Sequence, residues 1–160
     1  MSRRPLSILV ALSCLITVTV HARAESPGEK GELGEPVTTT ELGGFQTPSK
    51  NIACKAHTDV YTNGSETILR CNVAATTNQM PPKPNDCDLY WGNDFAMTDK
   101  GTPELQCYLE TVNDPALPVL GYGEDWQQGA FTCRSEQTGV TCSNPLQHGF
   151  RLSRAKQDVF

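Results

Sequence analysis

The sequence predicts a small all-β domain, antiparallel and stapled by disulfides, arranged as a meander, a sandwich or a barrel. Three observations lead to this prediction. Short apolar runs alternate with polar residues, Gly, Asn and Pro turn signals separate them, and the exported part of the chain holds six cysteines. No segment beyond residue 24 carries helical periodicity over three turns.

The first residues are typical of an export signal. Arg3 and Arg4 form a positive region, an apolar run extends from Leu6 to Val20, and Ala22-Arg23-Ala24 is a cleavage motif. We therefore predict a signal peptide at residues 1–24, with an uncleaved anchor as the alternative, and a periplasmic or extracellular location. No later segment is apolar and long enough to span a membrane.

A linker is predicted for residues 25–44, which are rich in Gly, Pro, Glu and Thr and contain no aromatic residue. Residues 45–160 are predicted to form a single disulfide-rich β domain. Removal of residues 1–24 deletes three of the 13 basic residues and none of the 18 acidic ones, so the net charge becomes 10 − 18 = −8.

The negative charge is concentrated in residues 85–125, which hold nine acidic residues and one basic residue, Lys100. A surface of this sign repels phosphate backbones and anionic lipid headgroups. Nucleic acids and membrane surfaces are therefore poor candidates as partners, whereas a basic protein would complement the charge. The alternative is that the charge serves only solubility.

The cysteines of the exported part predict disulfides. Zinc is the competing interpretation, but no C-x-x-C pair occurs and the spacings fit no zinc module. We expect no metal and no cofactor. The cysteines are Cys54, Cys71, Cys87, Cys107, Cys133 and Cys142.

Two β-hairpins account for four of these cysteines. A four-residue loop at 61–64 between strands at 52–57 and 66–73 places Cys54 opposite Cys71. A four-residue loop at 136–139 similarly places Cys133 opposite Cys142. The pair Cys87–Cys107 then follows by elimination. The flanks of the two hairpins match loosely, which indicates either a degenerate internal repeat or a chance likeness of two short clasped hairpins.

Two further strands are predicted. Residues 104–110 alternate, with Leu105, Cys107 and Leu109 on one side, as in a half-buried strand. Residues 149–152 alternate as well and are predicted to form a strand after the second hairpin.

No catalytic residue can be assigned. Two histidines follow the predicted signal, His57 and His148, and no nucleophile motif or zinc-protease motif is present. Paired carboxylates could support glycoside hydrolysis. The candidate pairs are Asp86/Asp88, Glu104/Glu110 and Glu124/Asp125.

Aromatic residues near carboxylates form the one group suited to recognition, since aromatic rings stack on sugars or anchor protein partners. The alternative is that the two tryptophans belong to the core. The predicted binding residues are Tyr90, Trp91, Asp94, Tyr122, Glu124, Asp125 and Trp126.

Several motifs together resemble a domain-of-unknown-function family of small exported bacterial proteins. They include Phe45-x-Thr-Pro-Ser-x-Asn-Ile-x-Cys54, Pro81-Pro-x-Pro-x-x-Cys87, Trp91-Gly92, Tyr122-Gly123, and the run from Gly129 through Cys133 and Cys142 to Arg154. The resemblance spans residues 45 to about 154. It implies an exported domain with six paired cysteines, and it carries no catalytic residues.

These observations predict a non-catalytic binding or interaction module of the bacterial envelope or exterior, with a basic protein or a glycan as its partner. The alternatives are a glycan hydrolase that uses paired carboxylates and a structural component of the envelope.

Overall fold

The computed structural model describes residues 40–59 and 66–160. The predicted signal peptide at residues 1–24, the predicted linker up to residue 39 and the predicted loop at residues 61–64 lie outside the described residues.

Ten β-strands form the regular structure, and no helix occurs among the described residues. No helix in that part of the chain is therefore long and apolar enough to cross a membrane. The strands are β1 Thr40–Gln46, β2 Ile52–Asp59, β3 Glu66–Val73, β4 Asp94–Thr98, β5 Glu104–Leu105, β6 Asp125–Gln128, β7 Phe131–Glu136, β8 Gly139–Ser143, β9 Gly149–Leu152 and β10 Gln157–Val159.

Two successive antiparallel meanders make up the domain. The first sheet has the order β1-β2-β3-β4-β5, and the second has the order β10-β9-β8-β7-β6. Their apolar faces pack on one another around one buried cluster, so the fold is a sandwich. The predicted all-β, disulfide-stapled antiparallel fold is confirmed.

Each sheet carries an equivalent row of residues paired across its strands. In the first sheet, from β1 to β5, the row is Phe45, Cys54, Cys71, Phe95 and Leu105. In the second sheet, from β6 to β10, it is Trp126, Cys133, Cys142, Phe150 and Val159.

The two rows face each other across the core. The ring centroids of Phe45 and Trp126 are 5.2 Å apart, and those of Phe95 and Phe150 are 6.4 Å apart. Two pairs of equivalent strands, β1 with β6 and β4 with β9, are therefore in contact across the core. The two meanders correspond in strand order and pairing, and whether this reflects an internal repeat or a chance likeness of the two hairpins stays a prediction.

All three predicted disulfides are confirmed: Cys54–Cys71, Cys87–Cys107 and Cys133–Cys142. The first and third join directly paired residues in the second and third strands of each meander, at Cα–Cα distances of 4.1 and 4.0 Å. The Sγ atoms of Cys54, Cys71 and Cys142 lie within 4.8 Å of one another. Since all three atoms are already bonded in disulfides, this cluster is a packing contact between the two buried hairpin disulfides, which we call the core clasps.

Three local boundaries differ from the sequence-based expectation. Strand β1 begins at Thr40, inside the segment predicted to be a linker. The second hairpin keeps its predicted register, but Glu136 pairs with Gly139, so the turn contains two residues rather than four. Gly139 permits this because it has a positive φ of 142°, and a Cβ there would lie 2.2 Å from the carbonyl oxygen of Leu152.

The third difference concerns residues 104–110, where the predicted half-buried strand is wrong. The strand ends at Leu105, and both Cys107 and Leu109 are exposed. Beyond Leu105 the chain leaves the edge of the sheet and turns back over its outer face.

Candidate binding site

Residues 106–118, which we call the strap, cross the outer face of the first sheet from β4 to β1. Five hydrogen bonds mark its path. They are Gln106 N to Asp94 O at 2.7 Å, Arg70 Nη2 to Glu110 O at 3.0 Å, Asn113 Nδ2 to Asn72 Oδ1 at 2.8 Å, Lys55 Nζ to Asp114 Oδ2 at 3.5 Å and Gln46 N to Pro118 O at 2.9 Å.

A buried ion pair lies beneath the strap. Arg70 donates from Nε and Nη2 to the two carboxylate oxygens of Asp94, at 3.1 and 3.0 Å. Asp94 is fully buried, whereas the Arg70 side chain is 24% exposed. Burial raises the pKa of Asp94, and the Arg70 ion pair and the Asn72 hydrogen bond oppose that rise. Asp94, one of the predicted binding residues, therefore lies buried beneath the strap with both carboxylate oxygens hydrogen-bonded to Arg70.

Where the strap crosses β2, Asp114 and Lys55 form a second, weaker ion pair. The backbone N–H of Ala116 donates to Asp114 Oδ1 at 2.9 Å. This hydrogen bond, together with the nearby Lys55 ammonium, holds the pKa of Asp114 below its ordinary value.

The disulfide Cys87–Cys107 ties the start of the strap to the loop before β4. Next to it, Tyr90 and Tyr108 exchange two backbone hydrogen bonds, N to O, of 2.9 and 3.0 Å. Their rings lie 5.7 Å apart at an interplanar angle of 34°. The two backbone hydrogen bonds and the adjacent disulfide therefore hold the backbones of both tyrosines next to each other.

This pair is open to solvent. Tyr90 is 65% exposed and the adjacent Leu109 is 66% exposed, with Tyr108 half-buried between them. We call Tyr90, Tyr108 and Leu109 the tyrosine patch. They line one shallow depression together with Glu110 and Thr111. Tyr108 is fixed further, because its hydroxyl donates to Asn93 Oδ1 at 2.6 Å.

The two tryptophans among the predicted binding residues are both half-buried. Trp91 is half-buried, and its indole Nε1 donates to the carbonyl oxygen of Pro81 at 3.0 Å. Trp126 is half-buried on β6 and packs against Phe45 at the edge of the core.

The remaining predicted binding residues lie in or next to the turn before β6. Tyr122 is 43% exposed. The carboxylate of Glu124 accepts a hydrogen bond from Gly121 N at 2.7 Å, and Asp125 accepts two from Arg134 Nη1 at 3.0 and 3.1 Å.

The predicted residues therefore fall into two groups, 90–94 and 122–126. Within the described residues, no hydrogen bond, ion pair or ring contact joins the two groups, and the depression at Tyr90 shares no lining residue with the depression at Tyr122. Only Tyr90 and Tyr122 among the predicted aromatic residues are classed as exposed rather than half-buried.

Tyr108 and Leu109 were missed as binding candidates because the alternation in 104–110 was interpreted as a strand. The predicted disulfide held the signal that could have found them. Tyr90 follows Cys87 by three positions and Tyr108 follows Cys107 by one. Pairing these cysteines brings two tyrosines and a leucine to the same place.

A family model matches residues 36–160, which include every residue the structure describes. It is described as a family of unknown function, DUF6636. No curated protein and no solved structure matches the chain.

Proposed function

The chain belongs to the DUF6636 family, and we propose that it is a non-catalytic interaction module that binds a basic protein through the tyrosine patch. We further propose that it is exported and acts in the bacterial envelope or outside the cell. The signal-like residues 1–24 and the three disulfides support export, because disulfides persist in oxidising compartments.

The observation that carries the proposal is the exposed tyrosine pair on a constrained backbone. A reciprocal pair of backbone hydrogen bonds and a disulfide hold Tyr90 and Tyr108 in place before any partner arrives. Preorganised aromatic side chains lose little conformational entropy on binding, and tyrosine is enriched among the residues that dominate binding energy.

Charge favours a basic partner over a neutral one. Glu110 adjoins the patch, and Asp86 and Asp88 flank Cys87 in the loop that carries Tyr90. All three acids are exposed, and none forms an ion pair with another described residue. A basic partner would be attracted to these unpaired carboxylates in addition to contacting the aromatic rings.

Glycan hydrolysis is less well supported. It requires two carboxylates free to act on one bond. Of the candidate pairs, Glu124 and Asp125 already accept hydrogen bonds from Gly121 and Arg134. Glu104 and Glu110 line two adjoining depressions that share Arg70 and Gln106, and they are the pair that an activity screen should address.

The proposal is tested by titrating the disulfide-bonded protein with a lysozyme as the basic probe and with an acidic protein of similar size. We expect salt-sensitive binding to the lysozyme alone. Tyr90→Ser and Tyr108→Ser should each weaken it about tenfold, which corresponds to about 1.4 kcal/mol. Tyr122→Ser is the matched control, because it removes an exposed tyrosine outside the patch.

Binding that is absent, or that Tyr122→Ser weakens as much as Tyr90→Ser, would contradict the proposal. A parallel screen with soluble peptidoglycan fragments separates the other classes. Release of reducing ends that disappears in Glu104→Gln and Glu110→Gln would favour the hydrolase. Binding of the fragments without turnover would favour a glycan-binding module instead.

A further inference from the structure

We infer that the tyrosine patch is one end of a longer groove, which holds an extended basic segment of the partner protein. This inference rests on the proposed function and specifies how the partner binds. Three depressions adjoin one another, the first on the outer face of the first sheet and the other two along the start of the strap. The first, with a volume of about 410 Å³, shares Arg70 and Gln106 with the second. The second shares Tyr108, Leu109 and Glu110 with the third, which is the depression at the patch.

The groove owes its depth to one small residue. Ala96 on β4 pairs with Arg70 on β3 and with Glu104 on β5, so the three side chains stand side by side on the outer face. Neighbouring strands lie about 4.8 Å apart, which places the backbones that carry Arg70 and Glu104 about 10 Å apart with only a methyl group between them. That width suits a single extended chain.

The position of the groove follows from the path of the strap. The strap covers the outer face over Asp94 and Asn72 and continues to β1. It does not reach the part of the face around Ile68, which is half-buried, and Ala96, which is buried at the bottom of the first depression, and these two residues give the groove an apolar floor. An occupant there would bury that floor as the strap buries the rest of the face.

The rim of the groove is negatively charged. Glu66 and Glu104 line the first depression, and Glu110 lines the other two. None of the three forms an ion pair with another described residue. The one cation that lines these depressions in the described part of the chain, Arg70, is neutralised by Asp94. Unpaired carboxylates above an apolar floor favour lysine or arginine, whose aliphatic stems cover apolar surface while their charged ends reach the rim.

An extended segment can satisfy both ends of the groove at once. Alternate residues of an extended chain point to the same side, about 7 Å apart. One basic side chain can therefore lie over Ala96 while a later arginine stacks on Tyr90 and Tyr108. A compact cation would reach only one of these places.

The experiment uses two fluorescently labelled peptides of alternating arginine and glycine, about eight and about four residues long, which span about 26 and 13 Å when extended. Anisotropy titrations should show at least tenfold tighter binding of the longer peptide. Ala96→Leu should weaken the longer peptide about tenfold and leave the shorter one unchanged, because the leucine fills the floor at a distance from the patch. Glu104→Gln should weaken the longer peptide about threefold, and Tyr90→Ser should weaken both.

Matched controls come from the outer face of the second sheet. Thr141→Leu enlarges an outward-facing residue there, and Glu136→Gln removes an exposed carboxylate. Neither should change the affinity of either peptide. Circular dichroism and thermal unfolding establish whether Ala96→Leu is folded. If it is not, Glu104→Gln decides, because this exposed residue at the edge of the sheet can be neutralised without disturbing the core.

Equal affinities for the two peptides, or equal affinity for a peptide of alternating glutamate and glycine, would overturn the inference. An unchanged affinity of the longer peptide in both Ala96→Leu and Glu104→Gln would also overturn the inference. In that case the proposed function would still stand if Tyr90→Ser weakened lysozyme binding. Loss of any effect of Tyr90→Ser and Tyr108→Ser would instead remove the proposed function itself.

Discussion

The two sheets are built alike on the inside and differ on the outside. Both place a clasped hairpin in the second and third strands, and both present an equivalent row to the core. On the first sheet, however, the outer face is crossed by the strap, whereas Thr132, Arg134 and Arg151 on the second sheet are exposed. The shared interior serves stability, and the features suited to binding belong to the sheet that acquired a covering segment.

One chemical pair appears in both settings. Arg70–Asp94 lies under the strap, with Asp94 fully buried, and Arg134–Asp125 lies on the open face, with both side chains about half exposed at 50% and 51%. Each arginine contacts both oxygens of its aspartate. The same pair is therefore part of the architecture on one sheet and a surface contact on the other.

The largest expected effect tests the likeness of the two interiors. Phe95→Ala and Phe150→Ala remove equivalent buried rings and should each lower the free energy of unfolding by about 3–5 kcal/mol. Because the rings contact each other, the double variant should lose less than the sum. Denaturant titration measures all three. A cost below about 1 kcal/mol for either single variant would show that the two rows are not energetically equivalent.

The strap should depend on its own disulfide. Replacing Cys87 and Cys107 together by serine should lower the free energy of unfolding by about 3 kcal/mol, because the bond closes a loop with a sequence separation of 20. It should also weaken binding to the arginine–glycine peptides, since the tyrosine patch loses its support.

Mild thiol treatment offers an independent check on the same bond. Cys107 is exposed, whereas the four cysteines of the core clasps are fully buried. Reduction followed by alkylation and mass spectrometry should therefore label Cys87 and Cys107 first. Earlier labelling of either core clasp would contradict the assignment of the strap disulfide as the accessible one.

A smaller difference is expected between the two ion pairs. Asp94→Ala should lower the free energy of unfolding by about 2 kcal/mol, because Arg70 and Asn72 lose a buried charged partner. Asp125→Ala should cost less than about 1 kcal/mol, since its pair is exposed. Double-mutant cycles with Arg70→Ala and Arg134→Ala measure each coupling. Equal coupling energies would mean that the strap does not shield the buried pair.

The smallest effect concerns pH. Because the pKa of Asp94 is raised above 3.8, the folded protein keeps a proton that the unfolded chain has released. The contribution of this group to stability is therefore greatest below pH 3.8 and falls as the pH rises through the raised pKa. Denaturant titrations at a series of pH values measure this dependence. As the pH rises from 3.8 through the raised pKa of Asp94, the free energy of unfolding of the wild type should decline relative to that of Asp94→Asn.

Asp114 supplies the contrast within the same strap. Its pKa is lowered, so its contribution is present above pH 3.8 and is lost as the pH falls through the lowered pKa. Asp114→Asn should therefore differ most from the wild type at neutral pH. If the free energies of unfolding of Asp94→Asn and Asp114→Asn changed with pH in the same way, relative to the wild type, this would contradict the opposite pKa shifts of the two carboxylates.

The hairpins were predictable because their information is local. The positions of Cys54 and Cys71, and of Cys133 and Cys142, define one register each once a turn is placed between them. Even the turn that differed, with two residues in place of four, kept this register. Strand β9 at Gly149–Leu152 was predictable for the same reason.

The path of the strap was not predictable from local pattern. Alternation in residues 104–110 is compatible with a buried strand, and nothing nearby in the sequence indicates that Asn113 will meet Asn72 or that Pro118 will meet Gln46. Those contacts join residues far apart in the chain. The sequence therefore does not distinguish Asp94, which is buried, from the other eight acids of residues 85–125, and it does not indicate that Leu109 is exposed.

By itself, the sequence determined the all-β class, the three disulfide pairs and the acidic middle, because cysteine spacing, alternation and charge are properties of short segments. The tertiary structure alone decided which acids are buried, which aromatic residues are exposed, and that Tyr90 and Tyr108 meet beside the Cys87–Cys107 disulfide. The reason is physical: burial and ion pairing depend on which segment covers which face of a sheet, and that is settled by contacts between the strap and the strands of the first sheet.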